Sequence, residues 1–357
     1  MSDFLVIGGG IAGVSAAARL APYGKVTLFE AEGHLGYHAS GRSAALYERQ
    51  YGKPTTVALS HASGDEFHGT EGWLAPRGFL LLGRNGEEDV FDADCKTMKL
   101  HEISMDEARA MLPLIGPDVT RAAWHEDAWD IDTGRMIQDY ARTVTRHGGR
   151  IVTGAQITRI ERTRQGWTLH TGKGDIHGGT VLVNAAGAWA DEVARMARVT
   201  PLGLQPMRRS MGRIPAPEGH DVSRWPMIFG PGETWYAKPD AGALIVSPAE
   251  ETPVDPHDAY AEDLTLAEGF QRFENYVDIP VTRLLSSWAG LRTFSPDRQL
   301  VLGPAPGDPA FVWCAAQGGY GFQTAPAASR LLAQLVTGQT PDLDADLVAR
   351  LSPARFH

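Results

Sequence analysis

Cysteine is scarce in this chain: only Cys95 and Cys314 carry a thiol, and they show no metal or redox spacing. A disulfide framework and a thiolate metal centre fall away, and both thiols are expected to be reduced, as in a cytoplasmic protein. Positive charge is not in excess either. The net charge is −10 and the isoelectric point about 5.6, so the basic face that a nucleic acid needs is not expected. No apolar run reaches the roughly eighteen residues of a membrane span. Met1-Ser2-Asp3 brings no basic n-region, and the apolar stretch after it is already used as a strand. Neither an integral membrane segment nor a signal peptide is therefore expected. The twelve histidines show no ligand pattern, and no G-x-S-x-G nucleophile turn occurs. Hydrophobic residues, by contrast, make up 43 % of the 357, enough to bury a sizeable core over about two domains.

The first positive signal is a glycine turn. Phe4-Leu5-Val6-Ile7 reads as a strand, Gly8-Gly9-Gly10-Ile11-Ala12-Gly13 as a turn opening a small-residue helix to Leu20, and Lys25–Phe29 as a second strand. Gly8, Gly10 and Gly13 fill G-x-G-x-x-G: the first allows the tight turn, the second lets a pyrophosphate approach backbone, and the third lets helix and sheet pack closely. Unpaired N–H groups at the helix start, around Ile11 and Ala12, attract the anion. Glu30, followed by Ala31, stands twenty positions after Gly10, where an acid accepts hydrogen bonds from ribose hydroxyls. With strand, helix and acid in place, this reads as a dinucleotide site, the alternative being an ordinary tight βα turn. The fragment leaves NAD and FAD both open.

Glycine-rich signals of this type return at Val181–Trp189 and Trp288–Thr324, with stretches of different character between them. One such stretch, from about Trp73 to Asp132, holds a short apolar strand, Phe79–Leu82, and an acidic loop, Glu87–Asp94. The other, from about Pro206 to Ser287, holds strand-like runs at Trp235–Lys238 and Ala243–Val246 and a helical pattern from Leu264 to Tyr276. This interleaving predicts an α/β fold with discontinuous domains. A doubly wound, Rossmann-like cofactor domain takes residues 1–72, 133–205 and 288–357, and an inserted α+β substrate domain takes 73–132 and 206–287. The acidic loops and the arginines between Arg142 and Arg164 read as solvated faces.

Past Ala31 the chain departs from an NAD-type unit. His34 to Ala45 is rich in glycine, serine and alanine with one arginine, and a helix is expected to follow. Small residues such as Ala44 let a flat ring lie against backbone, while Arg42 and Ser43 offer donors to phosphate and flavin. A flexible loop with a serine cap fits this stretch equally well. Val181–Asn184 is a buried strand whose turn, through Ala186, Gly187 and Trp189, lets backbone approach a nucleotide; a plain turn would look the same. Phe311–Ala316 is a third strand, and Gln317, Gly318, Gly319, Tyr320, Gly321, Phe322 and Gln323 lead into an alanine-rich helix. That helix start suits an anion such as reduced flavin, charged at its N1/O2 edge.

Together these stretches resemble the D-amino-acid oxidase superfamily of FAD enzymes, which includes glycine and sarcosine oxidases. Within it they look most like bacterial D-arginine dehydrogenases. The likeness runs in order through Gly36–Gly52 (GYHASGRSAALYERQYG), Asp130–Thr133, Val181–Ser210, Trp225–Met227, Tyr236–Gly242 (YAKPDAG), Trp288–Phe294 (WAGLRTF) and Ala315–Thr324 (AAQGGYGFQT).

The resemblance implies oxidative deamination of D-amino acids by hydride transfer from Cα to the flavin, giving an imino acid and then a 2-oxo acid and ammonia. It places Arg292 and Arg209 on the substrate carboxylate, where a planar guanidinium can grip with paired hydrogen bonds. Arg208 replaces Arg209 if the register slips by one, and a surface ion pair is the commoner fate of any arginine. Tyr236 and Tyr51 match tyrosines that lean over the substrate, although a half-buried tyrosine at a domain border would read the same. The carbonyl of Gly319 matches an acceptor for the substrate amine, and Ile157 and Gly290 fall beside the cofactor. No cysteine stands at the linkage position before Leu291-Arg292-Thr293, so FAD is expected to be non-covalent.

The electron acceptor, a quinone or other carrier or oxygen, stays open. So do two alternatives: oxidation of a secondary amine, and a flavin-binding subunit without turnover. Where D-arginine dehydrogenases have an acid facing the guanidinium, this chain offers Phe79. With Leu46, Met227, Phe229 and Phe322 it predicts an apolar or broadly accepting side-chain pocket, favouring D-leucine, D-methionine or D-phenylalanine over D-arginine and D-lysine unless Arg77 or Glu48 swings into it.

Overall fold

The computed structural model describes residues 1–356. Two large sheets dominate it. The first has eight strands: Arg150–Val152, Val26–Phe29, Ser2–Ile7, Ile176–Asn184 and Asp308–Ala315 lie side by side and parallel. Antiparallel strands Ile157–Thr163, Gly166–Thr171 and Val301–Ala305 complete it. The strand period of two decides how its faces are used. Phe4, Val6, Leu28, Val183 and Val312 point into a core with the helices Ile11–Leu20, Thr133–Arg146 and Gly321–Thr337. Leu5, Ile7, Phe29, Leu182 and Phe311 point the other way, against Trp167, Leu169 and the helix Ala190–Met196. Both faces are covered, as a parallel sheet requires, and the near-continuous apolar runs of the sequence follow from that.

The second sheet has nine strands. Its spine is Gln205–Pro215, paired antiparallel with Ala243–Ser247, Thr252–Pro253 and, along the whole of its length, Ser286–Phe294. Tyr236–Asp240, Met227–Phe229, Phe79–Arg84, Val119–His125 and His101–Ile103 extend it. One face carries Leu80, Leu82, Ile214, Ile228 and Val246 into a core closed by the helix Asp263–Glu274. The other face, with Phe79, Met211, Met227, Phe229 and Tyr236, turns toward the first sheet's loops. A small sheet of Leu46–Glu48, Ala128–Ile131 and Leu74–Pro76 lies apart from both.

Three expectations need correction. The Ser286–Phe294 strand belongs to the second sheet, so the border drawn at 288 cuts a substrate-sheet strand instead of opening a cofactor segment. Glu88–Met98 is a helix, not an acidic loop; its single buried residue, Phe91, gives too little apolar signal to mark it. No helix follows Arg42 directly either; the next one, Pro54–Ala62, comes only after a strand. A short 3-10 turn, Ala39–Arg42, leads into the Leu46–Glu48 strand. Among the described residues, no helix is long and apolar enough to cross a membrane.

Candidate functional site

The glycine turn is built as its spacing demands. Gly8 has φ +110°, and a Cβ there would stand 2.2 Å from the Ala185 carbonyl oxygen. A Cβ on Gly13 would stand 1.8 Å from the Gly8 oxygen, so the third glycine is what lets the helix close on the turn. Gly10 caps Ile11–Leu20 without any side-chain cap, and no acid stands in the first turn. The Ile11 N–H donates to Ser40 Oγ at 2.9 Å. Gly10 itself supplies no side-chain acceptor, so the positive helix end beyond Ile11 fits a pyrophosphate. Glu30 reaches back over the turn: its Oε2 accepts from the Gly9 N–H at 2.7 Å and its Oε1 from Glu32 N at 2.8 Å.

A cavity of about 730 Å³ opens from this turn. Its walls include Gly8, Gly10, Ile11, Ala12, Glu30, Ala31, Ser43, Ala44, Ile157, Ala186, Gly187, Trp189, Gly290, Gly318, Gly319, Gly321 and Phe322, bringing five separated stretches of sequence together. Not every expected cofactor residue contributes. Gly13 packs behind the turn, and Tyr320 instead meets Tyr51 edge to face at 5.2 Å. Gln323 lines a second, smaller cavity, and its amide donates to the Tyr51 carbonyl and Ser60 Oγ, both at 3.0 Å. Arg42 borders the large cavity, yet its guanidinium is spent on the carbonyls of Tyr37, Ala259 and Ala289 and on Asp258. The phosphate or flavin donor expected there is not free.

The smaller cavity, about 60 Å³, meets the large one at Ser43, Ala44, Arg292, Gly319 and Phe322. Sheet register explains who faces it. Arg209 pairs with Gly290 and Met207 with Arg292, so Arg209 and Arg292 share a face, while Arg208 pairs with Leu291 on the opposite one. Arg208 is tied there to Glu262 and lines neither cavity. Tyr236 pairs with Phe229, and Phe79, Phe229 and Tyr236 stack in sequence at 4.5 and 5.3 Å. A Cβ on Gly319 would come within 2.8 Å of the Arg292 guanidinium carbon; glycine is what lets the two approach.

Glu233, for which the sequence offered no signal, stands at the centre. Its Oε1 accepts from Arg209 Nη1 and from the Tyr51 hydroxyl, each at 2.7 Å, and Arg292 Nη1 lies 3.4 Å away. It sits at φ +54° in the Pro231–Glu233 turn, a conformation no periodicity announces. Burial raises its pKa, but Arg292 and Arg209 outweigh that and hold it below the carboxylate norm. Burial also works against the Arg292 charge; Tyr51, Tyr236 and Glu233 overcome it and leave that pKa well above normal. Burial, with Glu233, pushes the Tyr51 phenol well above its usual 10. Arg209 has its donors committed to Glu233, the Glu250 carbonyl and Glu251, whereas Arg292 keeps most of its own for a ligand.

Residues 3–335 match the family model DAO, FAD dependent oxidoreductase. The chain belongs to this family. A glycine oxidase of Pseudomonas aeruginosa is 28 % identical, covering 95 % of this chain and 96 % of that protein. Glycine oxidase from Geobacillus kaustophilus shares the fold at a TM-score of 0.85 and 21 % identity, covering 99 % and 98 % of the two chains. L-proline dehydrogenase from P. horikoshii does so at 0.85 and 23 %, covering 99 % and 97 %. As a DAO-family member the chain is an FAD-dependent oxidoreductase, and its large cavity fits that cofactor through the glycine-started helix end and the Gly8–Gly13 cradle.

The expectation of an apolar pocket is met only in part. Leu46, Phe79, Met227, Phe229 and Phe322 all line the small cavity, but Glu48 lines it with them. Arg77 does not enter: it is bound to Asp130 and to the carbonyls of Ser223 and Trp225.

Proposed function

We propose that this chain oxidises the α-amine of an amino acid, of the D series, on a non-covalently held FAD. The observation that carries the reading is Arg292, a half-buried guanidinium, 18 % exposed, with donors to spare at the junction of the two cavities. Bound FAD would supply the acceptor for the hydride, which carries both electrons of the oxidation. Arg292 grips the substrate carboxylate; the Tyr51 hydroxyl beside it accepts from Arg292 and donates to Glu233, and the raised phenol pKa keeps it protonated across neutral pH. Arg209 acts through Glu233, holding that carboxylate against Tyr51. The Gly319 carbonyl accepts from the amine and turns its lone pair and Cα–H toward the large cavity. Removing a hydride from Cα of a neutral amino group leaves an imino acid, which adds water and releases ammonia and a 2-oxo acid. The protein's contribution is orientation and exclusion of water.

The small cavity suits a short side chain against apolar walls, each buried methylene adding about 0.8 kcal/mol. Kinship to D-arginine dehydrogenases and the D hand rest on the motif likeness alone. The test is an anaerobic panel of D-amino acids, L-amino acids and secondary amines, read as bleaching of the flavin absorbance. Bleaching by short D-amino acids is expected. A secondary amine or an L-amino acid in front would replace the substrate assignment, and no bleaching by any amine would end the enzymatic reading.

A further inference from the structure

We propose that the small cavity selects a substrate side chain ending in a hydrogen-bond donor, an ammonium ahead of a hydroxyl, and that Glu48 receives it. This rests on Arg292 as the carboxylate ligand. Glu48 closes the Leu46–Glu48 strand, and its side chain is only 3 % exposed. Oε1 accepts from the Gln50 N–H at 2.8 Å, but Oε2 has no hydrogen-bond donor. His125 Nε2 stands 2.7 Å from Oε2 yet outside hydrogen-bond geometry, its ring stacked on Phe79 at 5.7 Å with 6° between planes. A buried carboxylate oxygen without a donor is costly, and the cavity it borders is where a donor can arrive.

Charge points the same way. Arg209 is met by Glu233 and Glu251, and Arg292 by Glu233 and an incoming substrate carboxylate, so neither arginine serves Glu48, whose close basic neighbour is the His125 ring. Leu46, Phe79, Met227, Phe229 and Phe322 would cover the methylene stem; of the two carboxylates in the lining, Glu233 is held by Arg209, Arg292 and Tyr51, which leaves Glu48 to meet a cationic tip. The volume of about 60 Å³ limits that stem to a few atoms.

Non-reactive carboxylates separate this from turnover. The FAD-loaded protein is titrated with 4-aminobutanoate, 4-hydroxybutanoate and pentanoate, three chains of equal length, and binding is read from perturbation of the flavin spectrum. 4-Aminobutanoate is expected to bind at least about tenfold tighter than pentanoate, with 4-hydroxybutanoate between them. In Glu48→Gln that ratio is expected to fall to within about threefold, a comparison made inside one protein and so insensitive to general loss. Pentanoate binding tightest, a ratio unchanged in Glu48→Gln, or no binding by any of the three overturns the proposal. If the predicted order holds while D-2,4-diaminobutanoate and D-norvaline both fail to bleach the flavin, Glu48 stands as the selector and the proposed oxidation fails.

Discussion

Arg292 and Arg209 look alike in the sequence, since each sits in a motif beside small or basic neighbours, but the structure gives them different work. Arg292 has unspent donors facing the cavity junction, while Arg209 is locked to Glu233 and the Glu250 carbonyl. Arg292→Leu is therefore expected to keep FAD and to lose about 30-fold to several thousand-fold in kcat/KM, the effect of removing one partner of a buried charged pair. Arg209→Leu acts indirectly and is expected to lose less, and Arg159→Leu, on an exposed strand face, to change little. Near-normal kcat/KM in Arg292→Leu would remove the proposed substrate pose. The same scale shows where sequence reading ends. Gly319 and Arg292 are legible because each lies in a short motif with a fixed register. Arg42 is not, because the carbonyls that absorb its donors stand 217 and 247 residues away in sequence. Glu233 is invisible for another reason: a glutamate at positive φ in a tight turn has neither the periodicity nor the composition of a site.

At the scale of elements, the parallel strands and the glycine turn were legible since local chemistry dictates them: alternating burial on both faces, then a glycine where no Cβ fits. Gly13→Ala puts a methyl group 1.8 Å from the Gly8 oxygen, so helix and turn must separate. That change is expected to lower FAD occupancy in purified protein, measured as the ratio of flavin to protein absorbance. Gly33→Ala, with nothing within 4 Å of the added carbon, is expected to leave it unchanged. Equal occupancy in both variants would show that the close packing of Gly13 does not matter for the cradle. Elements whose apolar face is nearly absent escaped notice. Glu88–Met98 rests on Phe91 alone, and its acidic residues read as a solvated loop until tertiary contact decides otherwise.

At the scale of the whole molecule, sequence order misled about borders. Ser286–Phe294 leads directly into the last cofactor-side strands yet pairs along its length with Gln205–Pro215, because strand pairing over eighty residues of separation leaves no local mark. The large cavity is walled from both sheets, and neither Cys95 nor Cys314 reaches it. Acid precipitation is accordingly expected to free FAD into the supernatant; flavin retained in the pellet would contradict non-covalent binding. Glu233 ties these parts in a second way, joining Tyr51, on the chain before the second sheet begins, to Arg209 and Arg292 within that sheet. Its pKa lies below the usual 4.5. A group with a depressed folded-state pKa stabilises the protein fully above its unfolded value and loses that contribution as pH falls through the folded value. Glu233→Gln keeps the shape but not the charge, and hydrogen bonds to a charged group are worth about 1.5–3 kcal/mol. The variant is expected to melt several degrees below the parent at neutral pH, and the gap is expected to persist at pH 4.5 and close only in stronger acid. Melting curves that coincide at neutral pH, or a gap that already closes above pH 4.5, would mean that Glu233 carries no depressed charge and does not hold the two regions together.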